Sequence, residues 1–171
     1  MIPALLLFMY LSATMDRLMA DQQFEVPTEE FLAQAFSGQA PKPTVLWLTG
    51  TLKDEVGAIL DHKYPSLRVR YWRQDQRFAW VLEEIGKDRP ITAGFIINNN
   101  RLEDVQVLAF RETRGGEIRF ESFTRQFDNA SLKPSGQLDT RIDGVSGATL
   151  SVNAMRKLAA MALLLTQHVV K

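Results

Sequence analysis

The 171-residue sequence predicts an α+β fold: one antiparallel sheet of about four strands packed with helices, a long C-terminal helix and an N-terminal helical extension. Three observations carry this. Four consecutive segments between residues 67 and 110 are rich in β-branched and aromatic side chains and are separated by turn residues. Residues 151–170 (SVNAMRKLAAMALLLTQHVV) are rich in Ala, Leu and Met and lack Gly and Pro, which makes them the strongest helix in the chain. Residues 27–64 place apolar side chains at helical spacing in two stretches.

The first twenty residues stand apart. Residues 2–13 (IPALLLFMYLSA) form an apolar run too short to span a bilayer, which takes about 20 residues. The run has the length of the apolar region of an export leader, and Ala20 before Asp21 could precede a cleavage site. No Lys or Arg precedes the run, and Leu18 stands where a small residue is preferred. An apolar first helix or strand packed on the core is the other reading. The export reading is the expectation taken forward, with residues 1–20 as a leader.

The remaining elements follow in order. Residues 27–36 (PTEEFLAQAF) read as a short helix with Thr28 as N-cap and Phe31, Leu32, Ala35 and Phe36 on its apolar side. Residues 37–43 are a loop with two prolines, and residues 44–50 (TVLWLTG) a brief strand-like run. Residues 51–64 read as a helix with Leu52, Val56, Ile59 and Leu60 on one stripe. Residues 67–74 alternate apolar and basic side chains, and residues 77–86 return after a tight Asp75-Gln76 turn. Residues 91–99 and 101–110 form a second hairpin, because Asn98, Asn99 and Asn100 tolerate left-handed backbone angles. Residues 115–129 change to a helical period, with Ile118, Phe120, Phe123 and Phe127 as apolar positions. Residues 134–149 are a long loop carrying Gly136, Gly144 and Gly147, and the final helix follows. Its middle is apolar nearly all round, which predicts burial along much of its length.

Composition bounds the function. Hydrophobic residues make up 46% and charged residues 23%, a globular balance that excludes a disordered chain, a collagen or a coiled coil. The 20 basic and 20 acidic residues cancel, which argues against binding to nucleic acid or an anionic membrane; either would need a concentrated basic surface. Cysteine is absent, so thiolate metal sites, iron–sulfur clusters, thiol catalysis and disulfides are excluded.

Most catalytic constellations fail. His62 and His168 are the two histidines; both fall in predicted helices as surface residues, without a second metal ligand at suitable spacing. There is no nucleophile elbow, P-loop or dinucleotide fingerprint. Glu83-Glu84 and Glu103-Asp104 read as solvated strand-end charges, since adjacent strand side chains face opposite ways. Tyr71, Trp72, Phe78 and Trp80 read as cross-strand packing. No catalytic and no metal-binding residue is expected.

One constellation remains. Residues 143–149 (DGVSGAT) open directly into the final helix. Gly147 and Ala148 leave the backbone thin, and the helix dipole at this end favours a phosphate. Ser146 and Thr149 supply hydroxyls that could bind a phosphate or be esterified by one. Asp143 would repel a free anion, so it reads better as a loop-fixing acceptor or as a group read by a modifying enzyme. Ser-Gly-Ala-Thr is also ordinary helix-capping sequence, and the physical pattern alone leaves both readings open.

Asp143-x-x-Ser146-Gly147-Ala148-Thr149 resembles the flavinylation motif of the FMN-binding domain family. That family includes the C subunit of the sodium-pumping NADH:quinone reductase and the G subunit of the related Rnf complex. The order of segments is similar too: the hairpin of residues 94–110, then Glu112-Thr113-Arg114-Gly115, then residues 117–129, then the motif and its helix. The resemblance spans roughly residues 92–169, with Arg114 where the family has Pro and a shorter glycine-rich continuation. It implies that a flavin transferase, using Mg²⁺, moves FMN from FAD onto the Thr149 hydroxyl as a phosphoester. It implies a cofactor site of Thr149, Ala148, Gly147, Ser146 and Asp143, with Glu112 and Thr113 as candidate ring contacts. Residues 91–171 would form the FMN-binding core, and residues 21–90 an N-terminal extension and first hairpin.

The expected function is therefore an exported electron-transfer flavoprotein. It would be periplasmic or otherwise extracytoplasmic, with membrane association open, carrying FMN covalently at Thr149. A membrane redox protein would serve as electron donor or acceptor, and nucleic acid is not an expected partner. Two rivals stay open: a flavin-dependent reductase acting on a small substrate, and a non-redox adaptor whose Ser-Gly-Ala-Thr loop is only a helix cap.

Overall fold

The computed structural model describes residues 24–170. The leader expectation for residues 1–20 lies outside them. The fold is α+β, with a six-stranded antiparallel sheet in the order β1-β6-β5-β4-β3-β2. The strands are β1 (Phe24–Glu25), β2 (Thr44–Trp47), β3 (Arg68–Gln74), β4 (Arg77–Ile85), β5 (Pro90–Asn98) and β6 (Arg101–Phe110). The helices are α1 (Thr28–Ala35), α2 (Gly50–Leu60), the single turn α3 (Glu121–Thr124) and α4 (Thr149–Val170).

The four expected strands are β3 to β6. Asp75 (φ 55°), Asn99 (φ 50°) and Asn100 (φ 60°) adopt the left-handed angles that tight hairpins require. The strand-like run at residue 44 is edge strand β2. The other edge, β1, has no periodicity of its own and exists because Phe24 and Glu25 pair with Phe110 and Ala109.

Both faces of the sheet are covered. On one face α4 lies over β4 and β5, flanked by α2, and encloses Trp80, Phe95, Ile97, Phe127, Met155 and Leu163. The indole Nε1–H of Trp80 donates to the Thr166 hydroxyl at 2.8 Å, and that hydroxyl donates to the Ala162 carbonyl at 2.9 Å. A polar chain buried at mid-sheet is thereby satisfied within the core. On the other face α1 packs Phe31, Leu32 and Ala35 against Trp72, Ala79, Ile96 and Leu108. Gly94 admits this contact: a β-carbon there would lie 2.6 Å from the Phe31 ring. Central strand β5 is therefore apolar on both faces.

Strand β6 departs from simple alternation. Leu102, Val105, Val107 and Phe110 all join the α4-side core, although they are spaced three, two and three apart. Register shifts opposite Ile96/Ile97 and Thr92/Ala93 insert an extra β6 residue each time, and each bulge flips the pleat.

Local expectations need correcting in five places. Thr28 is the first helical residue of α1 rather than its cap; Pro27 holds the cap position, with no side-chain bond to the helix. The helix read over residues 51–64 stops at Leu60, because Asp61 turns left-handed (φ 63°). His62 consequently lies outside any helix. Its partner Glu84 is not a solvated strand-end charge; its side chain is 6% exposed and sits 2.8 Å from the His62 Nε2. Glu83 does face solvent. Residues 115–129 are not one helix but a 3-10 turn (Gly116–Arg119), α3 and a second 3-10 turn (Arg125–Phe127), interrupted where Phe120 is extended (ψ 144°). Tyr71 stacks on Trp80 (centroids 4.8 Å apart) and lies near Phe78, as expected for cross-strand packing, whereas Trp72 points to the opposite face under α1.

Candidate functional site

The motif loop ends at the first residue of α4. Gly147 is left-handed (φ 76°), the Ala148 N–H donates to the Val145 carbonyl at 3.0 Å, and the Val152 N–H donates to the Ala148 carbonyl at 2.9 Å. The last of these bonds begins the helical ladder. Among the described residues no acceptor meets the N–H groups of Thr149, Leu150 and Ser151. They are the orphan donors of a helix start, with the positive end of the dipole behind them. Thr149 and Leu150 are exposed, Leu150 at 51%. Ala148 corrects the expectation of a bare backbone on both sides of the motif. It is 4% exposed, its N–H is bonded, and its methyl is packed against Gly115. A β-carbon on Gly115, itself at φ 83°, would come within 2.7 Å of the Ala148 Cβ.

That contact joins the motif to the segment following β6. Thr113 and Arg114 emerge exposed on the opposite side, and Arg114 has no carboxylate partner among the described residues. A third wall comes from the β4–β5 connection. One Glu112 oxygen, Oε1, accepts the backbone N–H groups of Lys87, Asp88 and Arg89 at 2.7, 2.7 and 2.9 Å. Gly86 sits where a β-carbon would lie 3.0 Å from that oxygen. Burial pushes the Glu112 carboxyl up, but the N–H groups of Arg89, Asp88 and Lys87, with the Lys87 ammonium, outweigh it and hold it below the ordinary carboxylate value. Glu112 is therefore an ionised clamp on the 86–89 turn.

The three walls enclose a cleft of about 660 Å³ bounded by Lys87, Asp88, Glu112, Thr113, Arg114 and residues 147–151. Such a volume accommodates a drug-sized or nucleotide-sized ligand, for which about 300–1,000 Å³ is usual. Its features suit a phosphate-bearing planar ligand: an exposed hydroxyl at a helix start, unpaired N–H donors, two cationic side chains and an exposed Leu.

Five of the seven predicted residues, Thr149, Ala148, Gly147, Glu112 and Thr113, border this cleft. Ser146 and Asp143 do not. Ser146 is exposed on the loop before it. The Asp143 N–H donates to Gln126 Oε1 at 2.7 Å, and its carboxylate lies 3.4 Å from Arg141 Nε, both side chains facing solvent. Lys87, Asp88, Arg114, Leu150 and Ser151 border the cleft without having been predicted. The charged turn between Gly86 and Pro90 was a visible signal, but its place at the site depends on the long-range Glu112 clamp.

A second cavity of about 400 Å³ lies between α2, α4 and residues 136–142. Two of its cations are already engaged: Arg156 donates to the Ile142 carbonyl, and Lys157 to the Leu60 carbonyl at 2.7 Å and Asp61 at 2.9 Å. Among the described residues no cluster of His, Asp and Glu could hold a metal ion, and no helix is long and apolar enough to cross a membrane.

Residues 86–164 match the family model of the FMN-binding domain. The matched segment contains all three walls of the cleft, from Gly86 through Glu112 to the start of α4. No curated protein and no solved structure matches the chain.

Proposed function

We propose, from the premise that residues 86–164 are a domain of the FMN-binding family, that this protein is an exported electron carrier holding FMN as a phosphoester on Thr149. The observation that carries the proposal is the placement of the Thr149 side chain: exposed, at a helix start, and bordering a cleft of ligand size.

Flavin supplies the redox chemistry, taking up and releasing electrons, and the chain's residues do the rest. Modification would exchange a phosphoanhydride for a phosphate ester. A bond would form between the Thr149 oxygen and the FMN phosphorus as the pyrophosphate bond of FAD broke and AMP left. The proton of the Thr149 hydroxyl would pass to a base that the transferase supplies. Exposed Gly147 and Ser146 leave the approach to Thr149 open, and exposed Asp143 is positioned for the transferase to read. After transfer, the N–H groups of Leu150 and Ser151, the helix dipole, Arg114 and Lys87 would meet the phosphate's charge. Thr113 and Leu150 would offer polar and apolar contacts to the ring. Glu112 acts at one remove, by fixing the turn that carries Lys87.

A tether matters most where no cytoplasmic FMN pool can replace a lost cofactor, so covalent attachment and export support each other. The carrier reading is preferred to a reductase because the part-buried carboxylate of the cleft, Glu112, is spent on three backbone N–H groups. The test is co-expression with a flavin transferase. The wild type should give a band that fluoresces after denaturing electrophoresis, and Thr149→Ala should not. A wild type that stays dark would defeat the proposal.

A further inference from the structure

The cleft lies at one end of the sheet, and so do most of the exposed large apolar side chains. β4 ends at Ile85, immediately before the 86–89 turn that walls the cleft. Antiparallel pairing brings the start of β3 and the end of β2 to that same end, with Trp47 opposite Arg68. Trp47 is 58% exposed; Leu67, whose carbonyl accepts the Leu48 N–H, and Ile85 are also exposed. Strands are about 4.8 Å apart, so Trp47 on β2 stands about 10 Å from β4. Leu150 is exposed at the cleft itself.

Two of the cations on this rim stand without a carboxylate partner among the described residues. The acids of the rim are engaged: Glu83 with Thr92 (2.6 Å) and Arg111 (3.7 Å), Glu84 with His62, Asp88 with Lys87, and Glu112 with three N–H groups. Among the described residues Arg68 and Arg89 have neither an ion pair nor a side-chain hydrogen bond, and both are exposed. An aromatic anchor beside unpaired arginines is the composition of a protein-docking surface, since Trp and Arg are enriched where partners bind. Unpaired cations around an electron exit also steer partners of opposite charge.

We propose that the rim from Trp47 through Arg68 and Ile85 to Arg89 docks a small acidic redox protein, placing it beside the cleft. The inference rests on the electron-carrier reading for its purpose, but its physical claim can be tested separately. Acidic plastocyanin and basic mitochondrial cytochrome c serve as probes of opposite charge. Full-length ¹⁵N-labelled protein without flavin is titrated with each at low and high salt.

Acidic plastocyanin should shift amide resonances around Trp47, Arg68, Ile85 and Arg89 at low salt only, and cytochrome c should leave them in place. Arg68→Gln/Arg89→Gln should weaken the interaction at least fivefold, Arg68→Lys/Arg89→Lys should largely retain it, and Trp47→Ser should weaken it at unchanged charge. Equal shifts with both probes, shifts elsewhere on the surface, or an unaffected Gln variant would overturn the proposal. A stronger response to phosphatidylglycerol vesicles than to plastocyanin would overturn it in favour of a membrane surface. Rim shifts in a protein that never accepts flavin would uphold the docking surface and overturn the carrier reading alone.

Discussion

Gly115 lies against Ala148 so closely that a β-carbon on the glycine would fall 2.7 Å from the alanine methyl. Two segments more than thirty residues apart are thereby locked together at the mouth of the cleft. Ala148 is small for the sake of this contact, and Gly115 is doubly constrained because its φ of 83° disfavours any side chain.

Gly115→Ala should therefore destabilise the protein by at least about 2 kcal/mol through strain and overpacking. It should also lower flavin loading, because the 113–114 wall must move away from α4. Urea denaturation followed by circular dichroism gives the first quantity and in-gel flavin fluorescence the second. Normal stability with normal loading would show that the contact is dispensable.

Glu112 should reveal itself at acid pH. Its folded-state value is depressed, so its contribution to stability is complete above the ordinary carboxylate value of 4.5 and is lost as pH falls through the lower folded value. Glu112→Ala should cost about 1–3 kcal/mol at neutral pH by leaving three N–H groups without their acceptor. In Glu112→Gln the acid-side decline should be shallower than in the wild type. Parallel pH profiles for wild type and Glu112→Gln would contradict the clamp.

His62 should act in the opposite direction. Its Nδ1 lies 3.0 Å from the Lys63 carbonyl and its Nε2 lies 2.8 Å from Glu84 Oε2; both partners accept, so the protonated ring, with two N–H donors, satisfies both. The Lys63 carbonyl raises the imidazole value, burial lowers it, and Glu84 raises it again, leaving it above 6.5. The stabilisation is complete below that ordinary value and is lost as pH rises through the folded value. The half-exposed ring limits the effect to about 1 kcal/mol or less. Denaturation at about pH 5.5 and about pH 8.5 should show this alkaline loss in the wild type and not in His62→Gln.

Thr166→Val keeps the shape of the core but strands the Trp80 indole N–H. It should cost about 1–3 kcal/mol in thermal or urea unfolding while leaving flavin loading intact. A loss of loading here would mean that loading reports global stability rather than the cleft.

How much was legible follows from the range of each interaction. The hairpins β3–β4 and β5–β6 were readable because their pattern is local: apolar and aromatic runs, with Asp75, Asn99 and Asn100 at the reversals. The last helix was readable because its composition leaves no alternative, although it begins at Thr149 rather than at Ser151. β1 was not readable, since two residues acquire strand geometry only by pairing with β6. The break at Phe120 was hidden because Ile118, Phe123 and Phe127 still reach the core as a continuous helix would place them. In the site, the motif at residues 143–149 could be seen in the sequence. The turn at residues 86–89 could not, because what brings it there is an acceptor more than twenty residues away.

The most direct test of the central claim is mass spectrometry of the peptide released by trypsin between Arg141 and Arg156, taken from protein co-expressed with a flavin transferase. It should carry the mass of FMN less water, and fragmentation should assign that mass to Thr149. An unmodified peptide, or flavin assigned to Ser146 or Ser151 instead, would contradict the account.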